Sequence, residues 1–298
     1  MRLALTGLAL LAAACSKAPA PDAAPVDALA AAEPAAETAP AQLRLEPLWI
    51  AQGFSAPEGV ALSPDGAYFI SNVAGEGEAK DRAGWITKLS AGGAIVAERF
   101  IDGLDAPKGM AIKDGVLYVA DIDQVRTFDA VSGAAGAVIA IPEATFLNDA
   151  TVWRDEVYVS DSGTARILRL SPEGPVVWRA GPELDGVNGL LGADDRMFVS
   201  TMTSGSLFEA TAEGGWREIA AGMIDADGIG IVPASAGGGF LVSSWPGEIH
   251  YVSGDGSVSS LLNTREAATL QNDLTIFGDT VIVPNWMPGT VTAWRLVR

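Results

Sequence analysis

Residues 226–231 have the sequence Ala-Asp-Gly-Ile-Gly-Ile, and residues 240–245 follow after a small-residue turn with Phe-Leu-Val-Ser-Ser-Trp. Two apolar runs separated by a turn predict two short β-strands with a tight connection. The first strand opens on a carboxylate, Asp227, which is followed by glycine and then by an apolar residue. This local pattern is the unit from which most of the chain is built.

The same pattern occurs six times. Each copy opens on a polar residue that is followed by Gly or Asp and then by an apolar residue. The six opening residues are Glu58, Lys108, Asn148, Asn188, Asp227 and Asn272. They are separated by 50, 40, 40, 39 and 45 residues, which is the repeat length of propeller blades and not of helical repeats. The sequence therefore predicts an all-β, six-bladed β-propeller.

The two ends of the predicted propeller, residues 43–298, complement each other. Leu45–Ala51 has the pattern of a strand but precedes the first repeat, whereas the last repeat supplies only three strands before Arg298. The simplest arrangement is that the N-terminal strand completes the last blade. We therefore expect a closed ring without an unpaired edge between the first and last blades.

The N-terminal region has the features of an exported lipoprotein. Residues 1–14 predict a secretory signal peptide, and residues 11–15, Leu-Ala-Ala-Ala-Cys, resemble the bacterial lipoprotein cleavage box. That resemblance implies diacylation of Cys15, whereas an ordinary signal peptide would leave a free thiol. Residues 15–42 are rich in Ala and Pro and predict a disordered tether. We expect a lipid-anchored protein on the periplasmic face of the bacterial cell envelope, and Ser16 favours the outer membrane.

The composition argues against two classes of protein, those that are disordered throughout and those that bind nucleic acid. With 49% hydrophobic residues and 34 glycines, the chain can bury a large core and is not disordered overall. Its net charge is −18, or −19 once residues 1–14 are removed, so no nucleic-acid partner is expected. With one cysteine in the chain, no intramolecular disulfide can form. We expect a monomer that contacts the membrane only through its lipid.

Strand direction brings several groups to one mouth of the propeller. Because hairpin neighbours are antiparallel, the six opening residues and the ends of the second strands share a face. The second strands are predicted to end at Asn72, Asp121, Asp161, Met202, Trp245 and Asn285. The longest loop at this mouth, Val73–Gly84, is rich in Gly and charge and is expected to be a mobile rim or lid.

The opening residues together have the chemistry of a cation site. Two carboxylates and three amide oxygens that face one centre are the ligands that Ca²⁺ prefers. Without a cation the carboxylates of Glu58 and Asp227 would repel each other, and burial would raise their pKa values. The alternative is a polar channel that holds only water.

Four short segments resemble the metal-site segments of the senescence-marker-protein, gluconolactonase and luciferin-regenerating-enzyme family. They are Pro57-Glu58-Gly59, Leu147-Asn148-Asp149, Val187-Asn188-Gly189-Leu190 and Ala226-Asp227-Gly228-Ile229. Related paraoxonase-type propellers have the same order of Glu, Asn, Asn and Asp around a calcium. The resemblance implies that Glu58, Asn188 and Asp227 bind a divalent cation, expected to be calcium. It also implies that Asn148 contacts the cation, its water or the substrate, and that Asp227 accepts a proton.

Two positions depart from that family pattern. Lys108 stands where a neutral residue is expected, and an ammonium group near a cation costs energy. Lys108 would either stabilise an oxyanion or replace the metal in a non-catalytic descendant. The substrate-binding arginine expected beside Asn148 is absent, since residues 145–147 are Thr-Phe-Leu. A sugar-acid lactone is therefore not the expected substrate.

Other residues with suggestive chemistry have simpler interpretations. His250, the only histidine, is predicted to be a surface residue of a third strand away from the mouth, which excludes a Ser-His-Asp triad. Asp121 and Asp161 are expected to cap turns. Four apolar residues near the mouth form either an apolar wall for a ligand or packing between blades. They are Met202, Trp245, Trp286 and Met287.

Two functions remain open from the sequence. The first is a calcium-dependent hydrolase of a lactone or other ester, with Asp227, Asn148 and Lys108 as its catalytic residues and a small molecule as its substrate. The second is a non-catalytic binding module, because residues 157–163 also resemble NHL-type repeats, whose propellers bind partners across one face. Calcium would stabilise the first and leave the second unchanged.

Overall fold

The computed structural model of the protein describes residues 42–298. The predicted signal peptide, the lipidation site Cys15 and nearly all of the predicted tether lie outside the described residues. Within them the chain forms antiparallel β-sheets and three short 3₁₀ helices, Pro182–Leu184, Ala234–Ala236 and Arg265–Ala267. No helix of this described part is long and apolar enough to cross a bilayer.

The first three blades are four-stranded antiparallel sheets in chain order. Blade 1 contains β2 (Pro57–Leu62), β3 (Tyr68–Asn72), β4 (Gly84–Leu89) and β5 (Ile95–Leu104). Blade 2 contains β6 (Pro107–Lys113), β7 (Val116–Asp121), β8 (Gln124–Asp129) and β9 (Ala135–Ala140). Blade 3 contains β10 (Leu147–Trp153), β11 (Glu156–Asp161), β12 (Arg166–Ser171) and β13 (Gly174–Ala180).

The other three blades continue the same order, with β1 (Arg44–Gln52) added to the last of them. Blade 4 contains β14 (Val187–Ala193), β15 (Arg196–Thr201), β16 (Ser206–Thr211) and β17 (Trp216–Ala220). Blade 5 contains β18 (Ala226–Ile231), β19 (Phe240–Ser244), β20 (Glu248–Val252) and β21 (Val258–Asn263). Blade 6 contains β22 (Leu270–Gln271), β23 (Thr275–Phe277), β24 (Thr280–Met287) and β25 (Thr290–Val297).

The predicted closure of the ring is confirmed. Strand β1 pairs antiparallel with β25 from Arg44 opposite Val297 to Gln52 opposite Thr290. The N-terminal strand therefore becomes the outermost strand of the last blade, which otherwise would present β25 as an unpaired edge. The six-bladed all-β fold is likewise as predicted.

Each of the first five blades has a β-bulge at its opening residue. In blade 1, Pro57 pairs with Asn72 and Val60 pairs with Ile70, so Glu58 and Gly59 together face one residue of β3. The same irregularity follows Pro107, Leu147, Val187 and Ala226. A bulge bends the strand and changes the direction of its side chains. The repeated bulge is thus the local feature that accompanies the opening residues of the first five blades.

A serine in the second strand satisfies the backbone amide that four of these bulges leave free. The hydroxyl oxygen of Ser71 accepts from the backbone N–H of Gly59 at 2.7 Å, and that of Ser243 accepts from Gly228 at 2.8 Å. Ser160 and Ser200 accept equivalent bonds in blades 3 and 4. Because buried backbone amides need partners, the serine fixes the geometry of the bulge.

Candidate functional site

The six opening side chains line one cavity of about 190 Å³. Each of them is at most 6% exposed, although all six are polar or charged. They are Glu58, Lys108, Asn148, Asn188, Asp227 and Asn272. The predicted convergence of these residues on a single centre is therefore confirmed.

Aspartates at the ends of two second strands bind the segments that lead to two of these residues. The carboxylate of Asp121 accepts from the backbone N–H of Ala106 at 2.7 Å, two residues before Lys108. Asp161 accepts from the backbone N–H of Phe146 at 3.2 Å, two residues before Asn148. The prediction that both aspartates cap turns is confirmed. Their effect on the cavity is indirect, because they fix the chain that carries its residues.

Without a cation, simultaneous ionisation of the two carboxyl groups in the cavity is unfavourable. Burial raises the pKa of Glu58 well above its usual value, and the charge of Asp227 raises it further, while Lys108 lowers it. Burial and the charge of Asp149 raise the pKa of Asp227 to about 8, against a hydrogen bond from Asn188 that lowers it. Either protons or a bound cation must neutralise this pair.

The amide oxygen of Asn148 is a candidate ligand for a cation. Asn148 Oδ1 is buried without a hydrogen-bond partner, while its Nδ2 donates to Ser162 Oγ at 3.3 Å. Glu58 likewise makes no hydrogen bond or ion pair within the described part of the chain. An unpaired buried acceptor is costly unless something satisfies it. Oxygen atoms from two carboxylates and an amide are the donor set that a hard divalent cation takes.

Carboxylates alone do not make such a site. Among residues 42–298, no three His, Cys, Asp or Glu side chains lie close enough together to hold a metal ion. The candidate set of Glu58, Asp227, Asn148 and Asn188 therefore depends on amide oxygens, as expected from the resemblance of the four motif segments.

Lys108 is buried but has only neutral hydrogen-bond partners. Its Nζ donates to Gly77 O at 3.0 Å and to Ala106 O at 3.3 Å, and it lies 4.3 Å from the centre of the Phe146 ring. Burial lowers the pKa of Lys108, while the charge of Glu58 raises it. No carboxylate of the described residues lies within ion-pair distance of its Nζ. The ammonium group is therefore available to a substrate oxygen.

The loop Val73–Gly84 contributes to the cavity, as predicted for a rim. Gly77 is part of the lining, and its carbonyl oxygen is the acceptor for Lys108. Outside the cavity Lys80 Nζ pairs with Asp123 at 2.6 Å, and the backbone N–H of Arg82 donates to Asp105 at 3.0 Å. The part of the loop after Gly77 is thus attached to the turn after β7, through Asp123, and to the connection between β5 and β6, through Asp105. Its predicted mobility remains a prediction.

Three of the four predicted apolar mouth residues line the cavity, and one does not. Met202, Trp245 and Trp286 lie in the wall. Met287 is 53% exposed and lies outside the lining, since the wall residue of β24 is its neighbour Trp286. Sequence reasoning did not select Phe146 for the wall, although it precedes Asn148 by two residues.

The prediction that His250 is a surface residue is wrong. His250 lies in β20 and is only 7% exposed, and neither ring nitrogen has a hydrogen-bond partner. The alternation in this strand suggested a half-exposed face, but both faces of a third strand are covered when neighbouring blades pack against it. Its predicted distance from the mouth holds, because it is not part of the cavity lining.

Two further carboxylates, Asp149 and Asp273, influence the cavity from behind. Each directly follows an opening residue, where the other four blades have glycine. Burial raises the pKa of Asp149 to about 7, against hydrogen bonds from two backbone amides, and burial also raises that of Asp273. Both line a second cavity of about 270 Å³. The sequence feature that marks these two residues is Asp at the position where the other four repeats have Gly.

The comparisons with known proteins show the architecture. A gluconolactonase structure from Xanthomonas campestris has a TM-score of 0.65 at 17% identity, over 86% of this chain and 90% of that one. A virginiamycin B lyase from Staphylococcus aureus with quinupristin has a TM-score of 0.60 at 13% identity, over 86% and 100%. What they share with this chain is the fold.

A third similar structure is a PQQ-bound aldose sugar dehydrogenase from Streptomyces coelicolor, with a TM-score of 0.61 at 16% identity, over 87% of this chain and 99% of that one. No known family model matches the sequence, and no curated protein does. The three structures differ in what they act on, so this propeller fold by itself does not define a reaction.

The buried carboxylates predict how stability depends on pH. Asp227 has a folded-state pKa of about 8, whereas an unperturbed Asp titrates near 3.8. Between these values the folded state holds a proton that the unfolded state has lost, so the free energy of unfolding falls as pH rises. We expect chemical denaturation in chelator to give lower stability at pH 8 than at pH 7.

The matched variant for this measurement is Asp227→Asn, which removes the carboxyl group while keeping its shape. We expect a smaller loss of stability between pH 7 and 8 than in the wild type. Equal slopes in the two proteins would show that the pKa of Asp227 is not raised in the folded state.

Proposed function

We propose that this protein is a divalent-cation-dependent hydrolase, with calcium as the expected cation and a lactone or other ester as the substrate. The observation that carries the proposal is the shared cavity. There, two carboxylates with raised pKa values face an amide oxygen that has no hydrogen-bond partner. A bound cation would neutralise the two carboxylates and would be a partner for the unpaired amide oxygen.

The cation would be held by Glu58, Asp227, Asn148 and Asn188. When bound, it would polarise the substrate carbonyl and increase the acidity of a water. Asp227 in its deprotonated form would accept the proton of the attacking water. Its pKa of about 8 in the cation-free state implies that it acts as a base more readily once the cation is present.

Lys108 would act as the oxyanion donor. An ammonium group has three N–H donors, and the carbonyls of Gly77 and Ala106 accept two of them. The third is left for the oxygen that becomes negative during attack on the carbonyl. Donors fixed beforehand in a buried cavity stabilise that charge more than water does.

The similar structures, among them the Xanthomonas gluconolactonase at 17% identity, share the fold with this chain. At this level of identity the likeness concerns the fold, so the argument for hydrolysis comes from the residues in the cavity. Placement as a lipid-anchored envelope protein is proposed from the N-terminal sequence.

The decisive experiment combines binding and activity. We expect calcium to raise the melting temperature of the purified protein and EDTA to reverse the effect, as for any ligand that binds only the folded state. A panel of lactones and aryl esters is then assayed with calcium and with EDTA. If calcium neither stabilises the protein nor supports hydrolysis, the binding-module alternative is favoured and the proposal is rejected.

The substitution Lys108→Met tests the two interpretations of this residue. Removing an ammonium group near the site is expected to tighten calcium binding by about tenfold or more, because like charges repel strongly in a buried cavity. At the same time, hydrolysis should fall because an oxyanion donor is lost. The control is Lys108→Arg, which keeps the charge.

Calorimetric titration with calcium separates the outcomes. If the wild type does not bind calcium but Lys108→Met does, Lys108 has replaced the cation and the hydrolase proposal is wrong. Unchanged calcium affinity in Lys108→Met would show that the ammonium group does not interact with the site.

A further inference from the structure

The wall of the central cavity is apolar wherever it is not formed by the six opening residues. Its other members in the described chain are Gly77, Phe146, Met202, Trp245 and Trp286. The cavity thus has two chemically distinct parts: a polar base, which contains every carboxylate and amide of the lining, and an aromatic wall.

Two tryptophans form the main surface of the aromatic wall. The rings of Trp245 and Trp286 lie edge to face, with centroids 5.4 Å apart and an angle of 64° between their planes. Such pairs favour a defined mutual orientation. Trp286 also packs against the buried cluster of Val73, Ala106 and Ile122. The wall is therefore supported from behind and present before any ligand binds.

The aromatic wall offers few partners to a hydroxylated ligand. Its only side-chain acceptor is the weak thioether sulfur of Met202, and its only side-chain donors are the two indole N–H groups. The hydroxyls of a sugar would lose their hydrogen bonds to water there without replacement, which is costly for each group. An alkyl or aromatic substituent would instead gain from leaving water.

The size of the cavity limits the ligand. About 190 Å³ corresponds to the volume of about six water molecules in the liquid. This space suits a small lactone ring or ester group with one apolar substituent that extends towards the mouth. It does not enclose a macrocycle.

We propose that the substrate is a small lactone or ester with an aromatic or alkyl substituent, and not a sugar lactone. This inference rests on the proposed hydrolase function. The carbonyl would lie at the polar base, and the substituent would contact Trp245 and Trp286. The two tryptophans are thus residues that determine specificity.

The test compares three lactones: γ-phenyl-γ-butyrolactone, unsubstituted γ-butyrolactone and glucono-1,5-lactone. With calcium present, we expect kcat/KM for the phenyl compound to exceed that for each of the other two by about tenfold or more, since a well-packed apolar group is worth this much. Trp286→Ala should lower kcat/KM for the phenyl compound far more than kcat/KM for γ-butyrolactone, so that most of this advantage is lost through KM.

Two control variants exclude a general loss of structure. Trp286→Phe keeps an aromatic ring and should recover most of the preference. Trp178→Ala removes a tryptophan that packs against Trp153 and Tyr158 in blade 3, away from the cavity, and should leave the preference unchanged. Melting temperatures of all variants are measured in parallel.

Binding of unreactive lactams separates the two proposals. We expect 5-phenyl-2-pyrrolidinone to bind the wild type at least about tenfold more tightly than 2-pyrrolidinone, and Trp286→Ala to lose that difference. If glucono-1,5-lactone is the preferred substrate, the inference about substrate class is overturned and the hydrolase proposal stands. If no lactone or ester is hydrolysed but the lactam preference holds, the hydrolase proposal fails and the apolar wall stands as a binding site. Equal binding of the two lactams overturns the inference in either case.

Discussion

Replacing Asp227 with asparagine is expected to lower kcat/KM for the lactone or ester substrate by about 100-fold or more, the range typical for loss of a general base. The same substitution removes one of the two carboxylates that a cation would join. Calcium should therefore no longer raise the melting temperature. Because Asp227 and Glu58 repel each other when both are charged, the cation-free variant should be more stable than the cation-free wild type at pH 8.

These effects are measured by steady-state kinetics and by thermal denaturation with calcium or EDTA. Asp194→Asn is the control, since Asp194 is an exposed turn residue after β14 with a positive φ that asparagine tolerates. It should behave as the wild type. Retention of both activity and calcium stabilisation in Asp227→Asn would reject the role proposed for this residue.

Replacing Gly228 with alanine is expected to destabilise the propeller by about 3 kcal/mol or more, or to prevent folding. Gly228 directly follows Asp227 in the bulge of blade 5. A Cβ at this position would lie 2.0 Å from the backbone nitrogen of Leu274 in blade 6, and backbone atoms cannot move aside cheaply. Relief would require the innermost segments of blades 5 and 6 to separate, which would also displace Asp227.

Equilibrium denaturation of the variant measures this loss. Gly254→Ala is the matched control, because nothing lies within 4 Å of a Cβ built there and its φ is not in the left-handed region. The control should change stability by less than about 0.5 kcal/mol. Similar stability of Gly228→Ala and the wild type would show that the blades are not in close contact at this point.

The steric requirement for glycine at positions such as Gly228 explains why the repeat could be recognised from the sequence. Gly59, Gly109 and Gly189 also follow opening residues, and a Cβ at each would lie within 3.0 Å of atoms of the next blade. Close packing of the innermost strands thus requires a glycine after the opening residue. This requirement leaves a polar residue followed by Gly at regular spacing, which is visible in one sequence. Asp149 and Asp273 are the exceptions.

The sequence predicted the cavity residues more successfully than it predicted exposure. The spacing of the opening residues and the antiparallel direction of neighbouring strands were enough to place Asp227 and Glu58 together, although they are 169 positions apart in the chain. Local alternation gave a wrong environment for His250 and did not distinguish Trp286 from Met287. The exposure of His250 and the choice between Trp286 and Met287 depend on which side chains a neighbouring blade or loop covers. Alternation within one strand contains no information about this coverage.

The sequence by itself determined the architecture, because blade number and ring closure follow from periodic strands and from complementary strand deficits at the two ends. Only the tertiary structure decided the electrostatics of the cavity. It buries Asp227 beside other carboxylates, leaves Asn148 Oδ1 without a partner, and directs Lys108 towards the carbonyl of Gly77. Burial and distance set these properties, and both arise when distant segments pack together.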